Sequence, residues 1–193
     1  MKHARLALAI ALVPTLAHAH PGHGVETGEI GWGLAHPFTG LDHILAMIAV
    51  GLWAVQLGKR ALWVLPLSFL TAMAAGAALG MNGLRLPFVE PAILASALIL
   101  GALVACAARL PLGASAAVAT IAALFHGQAH GSETPGNAAG FQTVMGFIIA
   151  TALLHALGVA GGLGLQRIAQ HRVIRAAGAA ILCVAILIGR GVL

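Results

Sequence analysis

Charged residues are scarce in this sequence of 193 residues. Asp, Glu, Lys and Arg make up only 8% of it, tyrosine is missing, and Asp42 is the only aspartate. Soluble domains carry about 25% charged residues, so this composition excludes an ordinary water-soluble enzyme. The ten Lys and Arg residues occur singly or in pairs between apolar blocks. This spread also argues against a nucleic-acid-binding protein, because such a surface needs clustered basic residues.

Cysteine is almost as rare. Cys106 and Cys183 each lie within an apolar run, and neither has a CxxC motif or a Cys/His cluster beside it. This pattern gives no support to a disulfide framework or a thiolate metal site. We expect both cysteines to be small buried residues in helix packing.

Long apolar runs fill most of the chain. Hydrophobic residues make up 60% of it, and the mean hydropathy is +0.99. A membrane crossing needs about 20 apolar residues. Windows of that length predict six transmembrane helices at 38–57, 62–81, 88–108, 112–130, 138–165 and 172–192. We therefore expect an all-α, polytopic membrane protein, with no linker long enough to divide it into two domains.

Small residues recur at helical spacing in two of the predicted spans. The segments are "AAGAALG" at 74–80 and "GVAGGLG" at 158–164. Lipid removes the hydrophobic drive for helix association, so close packing at small residues takes its place. We assign both segments to helix packing.

The first 19 residues have the pattern of a secretory signal peptide. Lys2 and Arg5 precede a short apolar stretch at 6–16, and Ala17-His18-Ala19 is a small-x-small cleavage sequence. Cleavage would leave a six-helix transmembrane domain at 20–193 whose N-terminus lies outside the cytoplasm. The alternative is an uncleaved first span, although the apolar stretch is short for one.

The distribution of basic residues agrees with that orientation. The outer segments hold only Arg85 and Arg190, and the predicted inner loops hold Lys59, Arg60, Arg109, Arg167, Arg172 and Arg175. An excess of Lys and Arg marks cytoplasmic loops. We therefore expect a bacterial inner membrane protein with a periplasmic mature N-terminus.

Polar residues gather where several predicted spans meet the outer face. His36 precedes Pro37 and should be extended, while Asp42 and His43 lie about one turn inside the first span. His126 and His130 are spaced i,i+4 on the fourth span. The predicted cluster also contains the carboxylates Glu90 and Glu133.

Imidazole and carboxylate side chains together suit a borderline divalent ion such as nickel, cobalt or zinc. Met47, one turn beyond His43, leaves copper open as well. Each residue also has a plainer interpretation: a histidine can be a packing residue, and Asp42 can simply pair with a histidine or a backbone group. The placement of all of them at one face favours a metal path.

His155 stands apart, deep in the fifth span. An ionisable residue inside a membrane is a functional candidate, so His155 is either a second station for a passing ion or a hydrogen-bonded packing residue. Ser96 and Thr151 either line the same path or bond back to their own helices.

Four segments together resemble the HupE/UreJ family of hydrogenase and urease accessory membrane proteins. They are "HPFTGLDHILAMIAVGLWA", "PFVEPAILAS", "FHGQAHGSETPG" and "GFIIATALLHALG". The resemblance implies a nickel permease that supplies nickel enzymes, with cobalt or another metal as the alternative cargo. It places the family's motif positions at His36, Asp42, His43, Glu90, His126, His130 and Glu133. Pro91, directly after Glu90, departs from this pattern in a way that would affect only the start of the third span.

The implied partners are a divalent metal ion, the lipid bilayer and a cytoplasmic metallochaperone of a nickel enzyme, with no permanently bound cofactor. No phosphate-binding GxxxxGK[ST] loop is present, so uptake would be facilitated or driven by the membrane potential. Two other functions stay open from the residues alone. One is a membrane-embedded zinc hydrolase with Glu133 as general base, and the other is a b-haem electron carrier.

Overall fold

A computed structural model describes residues 30–168 and 170–193, and the all-α prediction is confirmed for that part of the chain. It consists of seven α-helices and one short 3-10 turn, at His36–Phe38. The helices are α1 (Ile30–Ala35), α2 (Leu41–Leu57), α3 (Ala61–Met81), α4 (Val89–Cys106), α5 (Leu112–Ser132), α6 (Ala138–Ile168) and α7 (Gln170–Gly189). The predicted signal peptide lies outside the described residues.

The structure contains five helices, α3 to α7, that are long and apolar enough to cross a membrane. The pair formed by Ile30–Phe38 and α2, whose axes are bent by 85°, brings the number to the predicted six if it is counted as one span. Because α2 has 17 residues, it is about 26 Å long, slightly less than the hydrocarbon thickness of about 30 Å. α2 alone is therefore slightly shorter than a full crossing, and the bent segment lies at its N-terminal end.

Apolar side chains cover the outside of the bundle as well as its core. Trp63 is 73% exposed and Phe88 is 78% exposed, which is expected where lipid is the solvent. Cys106 and Cys183 are also exposed on this surface. The prediction that they are buried packing residues is therefore wrong: both lie on helix faces that no neighbouring helix covers.

Four glycines bring α3 and α5 into backbone contact. Gly76 and Gly80 of α3 face α5, and Gly127 and Gly131 of α5 face α3. A Cβ added to Gly80 would lie 2.6 Å from the Ser132 nitrogen, so a larger residue would push the helices apart. Contacts advance in the same direction along both helices, so the two are parallel. The packing prediction for 74–80 is confirmed, and α5 supplies a matching pair of glycines spaced i,i+4.

Glycines also bring α2 and α6, a second pair of parallel helices, into backbone contact. A Cβ on Gly51 would lie 2.5 Å from the His155 carbonyl oxygen, and a Cβ on Gly158 would lie 2.5 Å from the Ile48 carbonyl oxygen. Gly162 packs against Val55 of α2. The predicted packing role of 158–164 therefore holds for the two glycines on this face of α6.

Most of the basic residues lie at the end of the bundle opposite the acidic residues. Lys59 and Arg60 lie beside Leu110 at one end, and the Arg175 side chain there donates a hydrogen bond to the Ala105 carbonyl. We call the other end, where α2 and α4 begin and α5 finishes, the site end.

Candidate metal-binding site

The entry to α2 is built by α1, which lies against the first turns of α6. Gly33 approaches the Thr143 carbonyl, and a Cβ on Gly146 would lie 2.5 Å from the Ile30 carbonyl oxygen. The chain then turns through His36–Phe38, where the Thr39 backbone nitrogen and hydroxyl donate to the His36 carbonyl at 2.9 and 2.7 Å. The expectation that His36 is extended is therefore wrong. The local hydrogen bonds and the proline favour a tight first turn.

Asp42 and His43 form a pair in the first turn of α2. One oxygen of the Asp42 carboxylate, Oδ1, accepts the His43 backbone N–H at 2.8 Å and lies 2.9 Å from His43 Nδ1. An ionised carboxylate only accepts hydrogen bonds, so Nδ1 carries the proton. His43 Nε2 then has a free lone pair, and it is buried without a hydrogen-bond partner among the described residues. Asp42 thus fixes the tautomer of His43 and leaves Nε2 as its unprotonated nitrogen.

His126, on α5, is oriented by a serine. The Ser96 hydroxyl of α4 donates to the Ile93 carbonyl at 2.6 Å and lies 2.9 Å from His126 Nε2. A hydroxyl has one proton to give, so it accepts from His126 Nε2. His126 Nδ1 is then the free nitrogen, and it too is buried without a partner in the described structure. Ser96 therefore bonds both to its own helix and to a predicted ligand.

His130 lies one turn further along α5 and is held between aromatic rings. Its imidazole stacks on Phe147 of α6 with centroids 4.2 Å apart, and it meets His36 edge-on at 5.2 Å. Trp32 of α1 contacts both His36 and Phe147. The short entry helix and α6 therefore fix the positions of two histidines that are 94 residues apart in the chain.

The imidazole rings form a contact series that leads inward from the site end. The His43 ring centroid is 4.9 Å from that of His130 and 4.7 Å from that of His126. His36 is half-buried, and His126 and His130 are fully buried. The series thus passes from partly solvated side chains to side chains enclosed by the bundle.

A cavity of about 210 Å³ opens at the outer end of this series. Six of the eight predicted residues line it: His36, Asp42, His43, Glu90, His130 and Glu133. Both glutamates are exposed at its mouth. Glu90 occupies the second position of α4, with Pro91 directly after it. Proline fits the first helical turn, where no N–H is required, so Pro91 leaves the carboxylate at the cavity.

These side chains do not form a fixed multidentate site. Within residues 30–168 and 170–193, no group of three or more His, Cys, Asp or Glu side chains is arranged to hold a metal ion. Neighbouring imidazoles instead pack edge-to-face or tilted against each other. The described histidines are therefore arranged as a series of pairwise ring contacts.

His155 lies outside the cavity. Its ring meets Phe69 of α3 edge-on at 4.9 Å, and both of its nitrogens are buried without a partner among the described residues. It lines a separate apolar groove of about 480 Å³ between α3 and α6. The hydrogen-bonded packing interpretation of His155 is thus not supported. Thr151, one turn before it on α6, donates to the Met73 sulfur at 3.4 Å.

Sequence reasoning missed three aromatic residues that shape the site: Trp32, Phe69 and Phe147. Each sits in an ordinary apolar segment, and no polar motif marks it. It also missed that the "HGQAHG" segment has two roles. Its histidines face the site, while Gly127 and Gly131 contact α3. The GxxxG spacing inside that segment was the available signal.

Comparison with known proteins gives one consistent result. A family model described as "HupE / UreJ protein" matches residues 8–188. A curated relative named "Protein HupE", from Rhizobium leguminosarum bv. viciae, is 46% identical over 187 residues, which is 94% of this chain and 95% of the relative. No solved structure matches the chain significantly.

Proposed function

The chain belongs to the HupE/UreJ family, and from this premise we propose that it is a permease for a divalent transition metal, namely nickel. The metal would enter at the site end and leave at the basic end, to supply a nickel enzyme such as hydrogenase or urease. The observation that carries the proposal is the series of contacting imidazoles that leads from the exposed cavity into the bundle.

The free nitrogens in that series suit a borderline divalent ion. His43 Nε2, His126 Nδ1 and His130 Nε2 are buried and have no partner among the described residues. Leaving such atoms unpaired costs about 1–3 kcal/mol each, a cost that a passing metal ion would remove. Imidazole binds nickel, cobalt, zinc and copper, so cobalt and the others are alternative cargoes.

The lack of a preformed multidentate site favours movement over storage. An ion crosses a membrane protein only if each site binds it weakly enough to release it to the next. Exposed carboxylates at the mouth, Glu90 and Glu133, would concentrate cations there. Asp42 would balance the ion's charge and keep His43 in its ligand form. The metal is the cargo in this scheme, and no permanently bound cofactor is required.

The membrane potential is sufficient as a driving force. Moving a charge of two inward through 100 mV releases about 4.6 kcal/mol. At about 1.4 kcal/mol per factor of ten, this corresponds to an accumulation ratio of about two thousand. Facilitated or potential-driven uptake therefore needs no nucleotide.

The distribution of basic residues supports an orientation of the chain that agrees with uptake. Lys59, Arg60, Arg109, Arg167, Arg172 and Arg175 belong to the end opposite the cavity, and basic loops stay in the cytoplasm. In the bacterial inner membrane the cavity would then face the periplasm. The ion would leave on the cytoplasmic side, where a metallochaperone would accept it.

The zinc hydrolase alternative finds no support in the arrangement of ligands. A catalytic zinc is held by three protein ligands at about 2.0–2.3 Å, and the described side chains offer no such group as they stand. The transport proposal needs no such group.

The test is uptake of radioactive nickel into proteoliposomes that hold an inside-negative potential. The native protein should fill the vesicles, and collapse of the potential should abolish accumulation against the gradient. Asp42→Asn preserves the size of the side chain and removes its charge, and it should reduce the initial rate by about tenfold or more. Cobalt, zinc and copper as competitors would rank the cargoes.

Arg190→Gln is the matched control, because it removes a charge at the site end from a residue that does not line the cavity. Its uptake should equal that of the native chain. Folded native protein that moves none of the four metals would refute the permease proposal.

A further inference from the structure

Phe69 of α3 is fully buried and contacts two of the predicted metal residues. Its ring centroid lies 5.6 Å from that of His126 and 4.9 Å from that of His155. Among the aromatic contacts of the described residues, none joins His126 directly to His155. The ring of Phe69 therefore links the inner end of the imidazole series to the isolated histidine on α6.

The surroundings of Phe69 are apolar. Leu65 and Met73, one turn away on either side of it along α3, are also fully buried. The two histidines that it touches both have buried nitrogens without partners, namely Nδ1 of His126 and both nitrogens of His155. Two groups able to bind a metal are thus separated by a short apolar segment.

We propose that Phe69 is the internal barrier of the transport path, closing the route between His126 and His155. This inference rests on the proposed function. A hydrated ion cannot pass an apolar constriction, and constrictions of this kind gate by excluding water. The face of an aromatic ring also attracts a cation, so the ring of Phe69 would stabilise an ion that passes between the two imidazoles.

The backbone beside His155 supports a closed state. Gly51 of α2 lies against the His155 carbonyl, and Gly158 packs against Ile48. This contact closes the α2–α6 interface next to His155. The α2 side of His155 is therefore closed, and Phe69 lies between His155 and the imidazoles that lead to the outer cavity.

Phe69→His tests this position without requiring transport. A third imidazole between His126 and His155 would complete a set of three ligands that holds nickel. The purified variant in detergent, loaded with nickel and then desalted, should retain bound nickel that the native protein releases. The same variant combined with His155→Ala should lose that nickel again. Phe69→Leu, which is apolar and has no ring nitrogen, should match the native protein in retention.

The outcomes separate this inference from the proposed function. Two results from folded, monodisperse Phe69→His protein would contradict the proposal that Phe69 is the barrier. One is retention of no more nickel than the native protein retains, and the other is equal retention when His155 is also replaced. Absence of nickel uptake by the native chain would refute the permease and the barrier together. If Phe69→His does not fold, Phe69→Ala in the proteoliposome assay decides. Its uptake should be severalfold faster than native, and equal or slower uptake by folded protein would overturn the inference.

Discussion

The carboxylate of Asp42 lies 2.9 Å from Nδ1 of His43, its immediate neighbour in the chain. This contact fixes the ring tautomer and leaves Nε2 free for a ligand. Ser96 does the same for His126 from another helix, but with a neutral hydroxyl, and leaves Nδ1 free instead. Two histidines in ring contact thus present different nitrogens, each selected by its own hydrogen-bond partner.

The role of Ser96 is testable by substitution. Ser96→Ala removes the acceptor for His126 Nε2 and should lower nickel uptake by about tenfold, since residues that orient metal ligands contribute about 10–100-fold. Ser96→Thr keeps the hydroxyl and should restore most of the activity. Nitrogen NMR of the imidazole would show a mixture of His126 tautomers in the alanine variant only.

Ser115→Ala is the control for that experiment. Ser115 is also buried, but its hydroxyl bonds only to backbone carbonyls, of Leu110 and Pro111, at the end away from the site. The rate of nickel uptake by Ser115→Ala should equal that of the native protein. An equal loss in Ser115→Ala and Ser96→Ala would mean that the effect is on folding.

His155→Leu should separate stability from activity. Both imidazole nitrogens are buried without partners in the described structure, and an unsatisfied buried polar group costs about 1–3 kcal/mol. The apolar replacement should therefore raise the free energy of unfolding in detergent by that order while it reduces nickel uptake severalfold. A stabilised variant with full uptake would show that His155 is not on the path.

Gly127→Ala should disrupt the contact between α3 and α5. The added Cβ would collide with the Met73 carbonyl, and a backbone group cannot move aside as a flexible side chain can. We expect a loss of about 2 kcal/mol or more in stability, measured as a lower midpoint of thermal unfolding, together with reduced uptake because His126 is the adjacent residue.

Gly161→Ala provides the comparison. No described atom lies within 4 Å of the Cβ position at Gly161, so this change should be neutral or stabilise α6 by about 0.5–1 kcal/mol. Similar destabilisation by both substitutions would contradict the packing explanation.

Glu133→Gln should weaken the capture of the metal ion at the cavity mouth. Glu133 is exposed at the mouth of the cavity, where its charge raises the local cation concentration, an effect that salt screens. The KM for nickel should rise severalfold at low ionic strength, with a maximal rate close to native. The difference should shrink in high salt. A fall in the maximal rate at all salt concentrations would instead make Glu133 a ligand in the rate-limiting step.

The sequence predicts the spans well because hydropathy depends only on composition along the chain. Breaks at Gly58 and around Pro111 coincide with helix ends. The 85° bend before α2 was not predicted. It depends on hydrogen bonds from Thr39 and on the contact of Gly33 with α6, and neither leaves a mark in the hydropathy pattern.

The candidate site was predictable only in part. Polarity in an apolar chain identifies the six residues that line the cavity. The position of His155 deep in a span also predicts that it stands apart. The sequence does not reveal that His126 lies just beneath the cavity residues, that Phe69 lies between His126 and His155, or that Phe147 stacks on His130. Apolar residues carry no distinguishing signal in a membrane protein, so the rings that separate and support the histidines require the three-dimensional structure.

The Asp42–His43 contact also bears on how the protein is made. The histidines of α5 are synthesised more than 80 residues after Asp42, so the first turn of α2 is made before they exist. A carboxylate whose partner came from α5 would be uncompensated during that interval. Because its partner is the next residue, the Asp42 carboxylate can gain its hydrogen bonds from His43 as soon as the first turn of α2 forms. Membrane insertion of the charged helix therefore does not have to wait for assembly of the bundle.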